Sequence, residues 1–495
     1  MVKNYKKIIG NYFKEHSFIE HDIDSFNLFL EKNLQSVIDE VKEIVPTIIP
    51  QEYENFKIKL SRIRVEKPEI VDADGSKRAI YPTEARLRKL TYSAPVYLEI
   101  SAYINDIQRD SFTTQIGKLP IMLKSKFCHL YGLNKEELIK HGEDPDDPGG
   151  YFILNGNERV LVTIEDLASN KIFVSPAATG PSKFVGKMYS EKENYRIPHT
   201  LEHTKDGIYY LSFARFKRVP AIAIIKALGL LKDQEIMQSI SPDKIYDDVL
   251  INLYNSIELK TKEEALEFLA KKIGLTQKDL REEKTMEQLD RYLLPHLGTT
   301  PKDRTLKAHN LCKFIRKFIL VSQEGIKLPP KDHYMNKRLK LSGDLLSDLF
   351  RVNIRSLIQD ILYNFQRLVK RGKFTSIRTV IREQLLTSRI KSAMATGTWP
   401  GGRSGVSQNM ARTNSIDTMS NLQRIVSLLT SSQENFEARA LHATHWGRLC
   451  PVETPEGTPI GLRKNLSLMA TITKVDSSEE KIKKSMENIG LTIIK

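Results

Sequence analysis

The stretch at residues 439–466, RALHATHWGRLCPVETPEGTPIGLRKNL, restricts the fold more than any other part of the chain. Pro451, Pro455 and Pro459 fix φ and push Cys450, Thr454 and Thr458 before them into extended geometry. Gly447, Gly457 and Gly461 permit backbone that other residues tolerate poorly. The same residues include two histidines, a tryptophan, four basic side chains and two glutamates, too polar for a core and too aromatic for a linker. A stiff, irregular path of this kind presents charged groups to a ligand at set positions. The alternative is a structural loop whose glutamates pair with its arginines. Local chemistry leaves both readings standing.

With 495 residues the chain has room for two or three domains with cores of their own. The longest apolar run, AIAIIKALGLL from Ala221, is too short to span a bilayer, so no membrane partner is expected. The N-terminal MVKNYKKIIGNYFKEHSF carries charges throughout and does not read as a secretory signal. Cys128, Cys312 and Cys450 are too scattered for a disulfide framework or a CxxC zinc site, which points to a reducing, cytoplasmic setting. The net charge of +15 favours a polyanionic partner, nucleic acid foremost. Lysine-rich usage alone could produce that total, so location matters more. From Ser388 to Arg424 the charged residues are Arg389, Lys391, Arg403, Arg412 and Arg424 against Asp417, with Gly397, Gly401, Gly402 and Gly405 around Trp399. A glycine-rich basic loop lets amides and guanidinium forks approach phosphates, although a solvated loop has the same composition. Trp399 could stack on a base or pack into a core.

Apolar spacing over residues 22–45 predicts an amphipathic helix with Asp22 or Asp24 as N-cap. KIKLSRIRV from Lys57, PVYLEISAYI from Pro95 and GYFILNGNERVLVTIED from Gly150 read as strands, the last folded back at Asn155 and Gly156. Asp72, Asp74 and Gly75 fit a hairpin turn better than a calcium loop, because the third oxygen ligand and distal glutamate are missing. HGEDPDDPGG is a turn. From Lys171 the character changes to short strands such as GIYYLSFARF, then helical PAIAIIKALGLLKDQEI, then charge-rich helices over about 242–325. This predicts a second domain inserted into the first, its charged runs forming solvated faces. A long helix over about 342–370 carries a core stripe from Leu345 through Leu349, Ile354, Leu357, Ile361 and Phe365 to Leu368. The segment SQNMARTNSIDTMSNLQR reads as polar and helix-like.

Autonomous catalysis finds little support. Two-metal nucleotidyl transfer needs clustered aspartates holding ions about 4 Å apart, and no such cluster is visible. GxxxxGK[ST] and GxSxG motifs are lacking. Glu453 and Glu456 with His442 and His445 could form a metal or acid–base constellation, but the nearby prolines argue against the helix that the histidine spacing would need. A stand-alone basic nucleic-acid-binding protein and a metal-dependent nuclease remain the alternatives to a subunit reading. Co-purification with large partner chains separates the subunit from both.

Eight stretches in order carry a resemblance: DSFNLFL from Asp24, EARLRKLTYSAPVYLEI from Glu84, IGKLPIMLKSKFCHL from Ile116, GGYFILNGNERVL from Gly149, KDHYMNKRLKLSGDLL from Lys331, AMATGTW from Ala393, RSGVSQ from Arg403 and THWGRLCPVETPEGTPIGLRKNLSLM from Thr444. Together they resemble the N-terminal half of the second-largest, β-like subunit of multisubunit DNA-dependent RNA polymerase, over about residues 20–470. The resemblance implies an α+β multidomain fold. A mixed protrusion domain occupies 1–165 and 330–384, with a lobe domain inserted at 166–329. A mainly helical and loop fork region follows at 385–475, and 476–495 begins the next region or forms a tail. Since the family's subunit is about twice as long, the chain is similar to B″, the separately encoded half found where the archaeal gene is split.

Site residues follow by matched position. Gln408 falls where the family contacts RNA of the RNA–DNA hybrid, and Arg424 where an arginine faces RNA phosphates. Arg403 and Arg412 lie in the same hybrid-binding stretch. TGTWPGGRSG matches the first fork loop and SSQENFEARALH the second. Arg439 matches a position by the incoming nucleotide and Glu456 one by the RNA 3′ end, and His442 is grouped with them near the nucleotide or RNA 3′ end. The resemblance implies no cofactor on this chain, with Mg2+ held by the largest subunit and zinc by the missing second half. Implied partners are that second half (B′), the largest and assembly subunits, template DNA, the hybrid, and initiation and elongation factors. Pro329, Pro330 and Met335 depart from the family's DKDHxGNKR segment, which puts its local turn in question. Ala411 and Asn421 stand where the rifamycin-binding region of bacterial relatives has aspartate and histidine. Transcription by the assembled enzyme should therefore persist at rifamycin concentrations that stop a bacterial polymerase; inhibition at low concentration would refute this.

Overall fold

The alternation in KIKLSRIRV becomes the strand Phe56–Val65, which buries Phe56, Ile58 and Leu60 and exposes Lys59. It belongs to the first of two compact units in the computed structural model, Met1–Asp166 with Leu339–Lys495; the second is Leu167–Arg338. The structure describes residues 5–41, 43–50, 54–177, 182–192, 195–242, 244–274, 281–327, 330–372, 376–429, 435–473 and 479–490. The fold is mixed α+β, and among the described residues no helix is long and apolar enough to cross a membrane.

In the first unit an antiparallel sheet runs in the order Glu43–Ile44, Phe56–Val65, Ser93–Ile104, Ile107–Pro120. The helix Ser342–Lys370 packs through the predicted stripe on the helical segments of residues 20–41 and on Glu383–Thr396, and reaches the sheet at Phe365. Leu345, Leu349, Ile354, Leu357, Ile361 and Phe365 are buried, and the Phe365 ring stacks on Phe56 with centroids 4.8 Å apart. The hairpin at Asp72 to Gly75 forms between Glu69–Val71 and Lys77–Ala79. Its aspartates are spent locally: Asp74 accepts the Ser76 amide (3.0 Å) and hydroxyl (2.7 Å), and Asp72 pairs with Arg78 at 2.7 Å. Asn155 and Gly156, both at positive φ (51° and 80°), turn Phe152–Leu154 into Asn157–Leu161.

The predicted N-cap fails. The helix begins at Glu20, before both aspartates, continues to Leu28, passes through a π-helical turn at Phe29–Asn33 and resumes over Leu34–Val41. Asp22 instead serves the other helix: its Oδ1 accepts the Ser342 amide at 3.0 Å, meeting one of the orphan donors where Ser342–Lys370 begins. Burial pushes the Asp22 carboxyl up to about 6 against the opposing Ser342 hydrogen bonds. Gly343 permits this contact, since a Cβ there would lie 2.1 Å from the Ser25 carbonyl oxygen. A spacing argument sees the residues beside Asp22 in sequence and misses the helix that arrives from the far side of an insertion.

The second unit is an antiparallel meander of Ile172–Pro176, Phe184–Lys192, Tyr195–His203, Tyr209–Phe213 and Phe216–Pro220. Its core joins that sheet to helices, with Leu311, Phe314, Ile315, Phe318 and Ile319 of Arg304–Ser322 buried. GIYYLSFARF is two strands, because Ala214 takes positive φ (44°) and reverses the chain. The helical run from Pro220 divides into Ala221–Ala227 and Asp233–Ile240 around Gly229 (φ 107°). Pro330 starts a tight turn, its carbonyl accepting the His333 amide at 3.1 Å; Pro329 lies outside the described residues.

His199, 1% exposed, sits between the Leu294 amide (3.2 Å from Nε2) and the Ile197 carbonyl (3.1 Å from Nδ1) and stacks on Phe213. Burial pulls its pKa from 6.5 down to about 4. Unfolded chain takes up this proton below pH 6.5 whereas folded chain resists until about 4. Stability should therefore fall as pH drops through that window, by about 3 kcal/mol in all. Urea midpoints across the window should decline less steeply in His199→Gln than in the wild type, and parallel declines would contradict the assignment.

Candidate nucleic-acid interface

The strand Asn157–Leu161 carries the basic region that follows residue 383. On one side it pairs with Phe152–Leu154, and on the other with Ser407–Asn409, where Gln408 faces Val160 and Asn409 faces Arg159. Successive strand side chains point to opposite faces. Arg159 donates to Asn409 Oδ1 (2.5 Å) and to the carbonyls of Met394 (3.4 Å) and Ala395, at the carboxyl end of the helix Glu383–Thr396. A cation there meets orphan carbonyls and the negative end of the helix dipole. Glu158 binds Arg412 Nε through Oε2 (2.7 Å) and Arg86 Nε through Oε1 (2.8 Å).

Arg412 also donates to Asp147 Oδ2 (2.8 Å) and lies 4.9 Å from the Tyr151 ring centroid. Arg86 reaches Glu143 Oε2 and the Tyr151 hydroxyl, each at 2.8 Å. Burial alone would raise the Asp147 carboxyl, but the Gly149 amide, Arg412 and the Tyr151 hydroxyl hold it below the ordinary carboxylate range. HGEDPDDPGG is a turn as predicted, yet its Asp147 also anchors the basic segment. Sequence spacing carried no signal for that, because residues 147 and 412 are joined only by the fold.

Trp399 packs rather than presenting a stacking face. It is 2% exposed, its indole Nε1 donates to the Leu345 carbonyl (2.8 Å), and its amide closes a tight loop onto the Arg403 carbonyl (2.8 Å). Arg403 turns inward from the glycine-rich tip to Asp348 (3.3 Å) and Asp166 (3.6 Å). The helix-like reading of SQNMARTNSIDTMSNLQR is corrected. Ser407–Asn409 is a strand, and helix occupies only Ser415–Leu422, capped by Asn414 Oδ1 on the Asp417 amide (2.7 Å). Strand Arg424–Ser427 then runs parallel to Thr163, Ile164 and Glu165 and antiparallel to Arg463–Asn465. Its Ile425 is fully buried, while the Arg424 side chain is half-exposed. Below this sheet Lys464 and Glu165 form a buried ion pair at 3.1 Å.

The proline-rich stretch is held mainly by backbone. Arg439 Nη1 donates to the carbonyls of Thr458 (2.6 Å) and Ile460 (3.0 Å), and Arg448 to that of Thr444 (3.2 Å). Thr454 Oγ1 accepts the Gly461 amide and donates to the Arg463 carbonyl, both at 2.9 Å. Glu453 accepts from Ser420 Oγ (2.6 Å) and Asn465 Nδ2 (2.5 Å). Of the two readings left open, glutamate–arginine pairing within the loop finds no support for Glu453, which takes these bonds instead. His442 caps a single 3-10 turn, Ala443–His445, that ends on His445, and its Nδ1 is bound to Thr444 Oγ1 at 2.7 Å. Among the described residues no group of three or more His, Cys, Asp or Glu is arranged to hold a metal ion.

The predicted site residues thus separate by commitment. Arg403, Arg412, Arg439 and His442 are engaged inside the chain. Gln408 donates to the Gly405 carbonyl (3.1 Å). Among the described residues the side chains of Arg424 and Glu456 have no hydrogen-bond or ion-pair partner, and Glu456 is exposed at the loop tip. Of the segment matched to the second fork loop, residues 431–434 lie outside the described residues. Glu158, Arg159, Asp147, Arg86 and Lys464 lie in stretches that the sequence marks, but nothing there singles them out as site residues.

Two glycines of the stretch make a controlled comparison. Gly461 and Gly447 share positive φ (71° and 74°), but a Cβ on Gly461 would lie 2.3 Å from the Arg439 carbonyl oxygen, whereas Gly447 has nothing within 4 Å. Gly447→Ala should cost about 1 kcal/mol through backbone strain alone. Gly461→Ala should cost at least ~2 kcal/mol and open the contact with Arg439. Urea titration and protease cleavage over residues 435–473 would check both, and equal effects would be contrary to the packing described.

Comparison with known proteins agrees with this architecture. Residues 17–388 match the family described as RNA polymerase beta subunit, and residues 408–472 match RNA polymerase Rpb2, domain 3. The chain is 43% identical to the DNA-directed RNA polymerase subunit Rpo2N of Methanocaldococcus jannaschii, covering 99% of both chains. It is 40% identical to the subunit of the same name from Methanococcus vannielii, over 98% of each. The subunit Rpo2 of Saccharolobus shibatae is 42% identical over 98% of this chain, which spans 43% of that longer relative. The chain therefore belongs to the second-subunit (β, Rpb2) family of DNA-directed RNA polymerase, as its N-terminal half, and is a subunit of that nucleotidyl-transferring enzyme.

Proposed function

We propose that this chain, as the B″ type of subunit, lines the polymerase cleft and positions the RNA–DNA hybrid and downstream DNA. In this reading residues 1–165 with 330–384 form the protrusion, 166–329 the lobe and 385–475 the fork. The catalytic Mg2+ would be held by the largest subunit and zinc by the second half of this one. That second half, the assembly subunits, template DNA and initiation and elongation factors are the remaining partners.

The observation that carries this reading is the uncommitted Arg424 beside cations that are already paired. Neighbouring cations such as Lys464, Arg403 and Arg412 already have carboxylate partners. A half-exposed guanidinium on a strand whose next residue is fully buried is held in direction yet free in charge. A phosphate would complete it. Gln408 offers an amide to the same hybrid. Arg439, by holding the loop just after its Glu456 tip, sets a carboxylate near the RNA 3′ end, where small displacements cost rate. The chain's contribution is positioning and electrostatics, not bond making.

In reconstituted polymerase Arg424→Ala and Gln408→Ala should shorten elongation-complex lifetime. Arg424→Ala should also reduce its salt dependence by about one phosphate's worth. Unchanged lifetimes in both would remove the hybrid-contact assignment. Arg439→Ala should slow nucleotide addition at limiting substrate, and a normal rate there would count against its role.

A further inference from the structure

Glu158 and Arg159 are adjacent, oppositely charged and directed to opposite faces of one short strand. Each grips a different flank of the segment that carries Gln408. Arg159 holds the upstream flank through the carbonyls of Met394 and Ala395, and Asn409 beside Gln408. Glu158 holds the downstream flank twice: its carbonyl accepts the Met410 amide (3.0 Å) and its carboxylate binds Arg412 (2.7 Å). The other Glu158 oxygen is filled by Arg86 of the helix Pro82–Leu87 (2.8 Å), so the grip is tied to the body of the unit. Between the flanks, only three register pairs join Ser407–Asn409 to Asn157–Leu161. So short a ladder is weak by itself, and the side-chain grips must define its place.

Arg412 is committed on three sides, with Nε on Glu158, Nη2 on Asp147 and its plane by Tyr151. An incoming phosphate would have to compete with two carboxylates for it, at a cost in both ion pairs. We infer that Glu158 and Arg159 are positioning residues for the nucleic-acid contact at Gln408, and that Arg412 is the counter-ion of this clasp instead of a phosphate contact. This rests on the reading of Gln408 as a hybrid contact.

The test uses complete reconstituted polymerase carrying Glu158→Gln, Arg159→Gln, Arg412→Ala or Gln408→Ala, and each of the first three combined with Gln408→Ala. Elongation-complex lifetime is measured across a salt series, and amide hydrogen exchange over residues 405–412 is measured on enzyme without nucleic acid. Glu158→Gln, Arg159→Gln and Arg412→Ala should each speed exchange in that segment and shorten lifetime roughly three- to tenfold, with the salt slope unchanged. Added to Gln408→Ala they should shorten it little further, because they act through that residue. A slope reduced by about one phosphate in Arg412→Ala, with Glu158→Gln behaving normally, would overturn the clasp and make Arg412 a direct contact. Unchanged exchange in Glu158→Gln and Arg159→Gln would also overturn it, even with lifetimes altered. A normal lifetime in Gln408→Ala with faster exchange in the clasp variants would instead remove the hybrid reading, and with it the positioning role, while leaving the clasp itself in place.

Discussion

A buried carboxylate holds the first unit closed. Asp22 receives the leading amide of Ser342–Lys370, and Gly343 lets that helix touch the backbone of Ser25. Two stretches of chain separated by the whole second unit thereby share one core. Phe29 from the first stretch meets Phe350 from the second, and Phe26 backs this contact by packing on Phe152. Without this closure the strand Phe56–Val65 would lack the face of Phe365, and the helix Glu383–Thr396 would keep its packing on Ile107–Pro120 but lose that on Ser342–Lys370. Everything proposed for the basic region rests on strands that this core supports.

The charge of the basic region serves two ends. Most of its cations are structural: Arg403, Arg412, Arg439 and Lys464 each bind an acid or a carbonyl and turn flexible backbone into fixed backbone. Arg424 and Glu456 are among the charges left without a partner in the described residues. This division suits a chain that guides nucleic acid without reacting with it, because a guide must be stiff before its free charges can be selective. A net charge of +15 alone would have suggested many phosphate contacts, and the fold reduces that number.

Periodicity made the long helix, the early strands and the hairpins at Gly75 and Gly156 legible, since each depends on residues close in sequence. The N-cap assigned to Asp22 or Asp24 failed for the opposite reason. A helix start is a shortage of partners for amides, and any carboxylate brought near can relieve it. Trp399 could not be placed from composition, as stacking and packing demand the same ring. The Leu345 carbonyl that decides between them lies on another helix. Residues 407–424 read as one helix-like run because their polarity hides a strand that needs Asn157–Leu161 to exist.

By itself the sequence determined the class of elements, the family through ordered motifs, and the stiffness of residues 439–466, because prolines and glycines limit φ wherever they stand. Only the tertiary structure decided which charges are free. Arg412 and Arg424 are indistinguishable in sequence terms: both are arginines in a glycine-rich, basic stretch. One folds onto Asp147 and Glu158, more than two hundred residues away, while the other emerges beside a buried isoleucine with no acid in reach among the described residues. Whether a guanidinium is available to a phosphate depends on what it already binds, and long-range packing sets that.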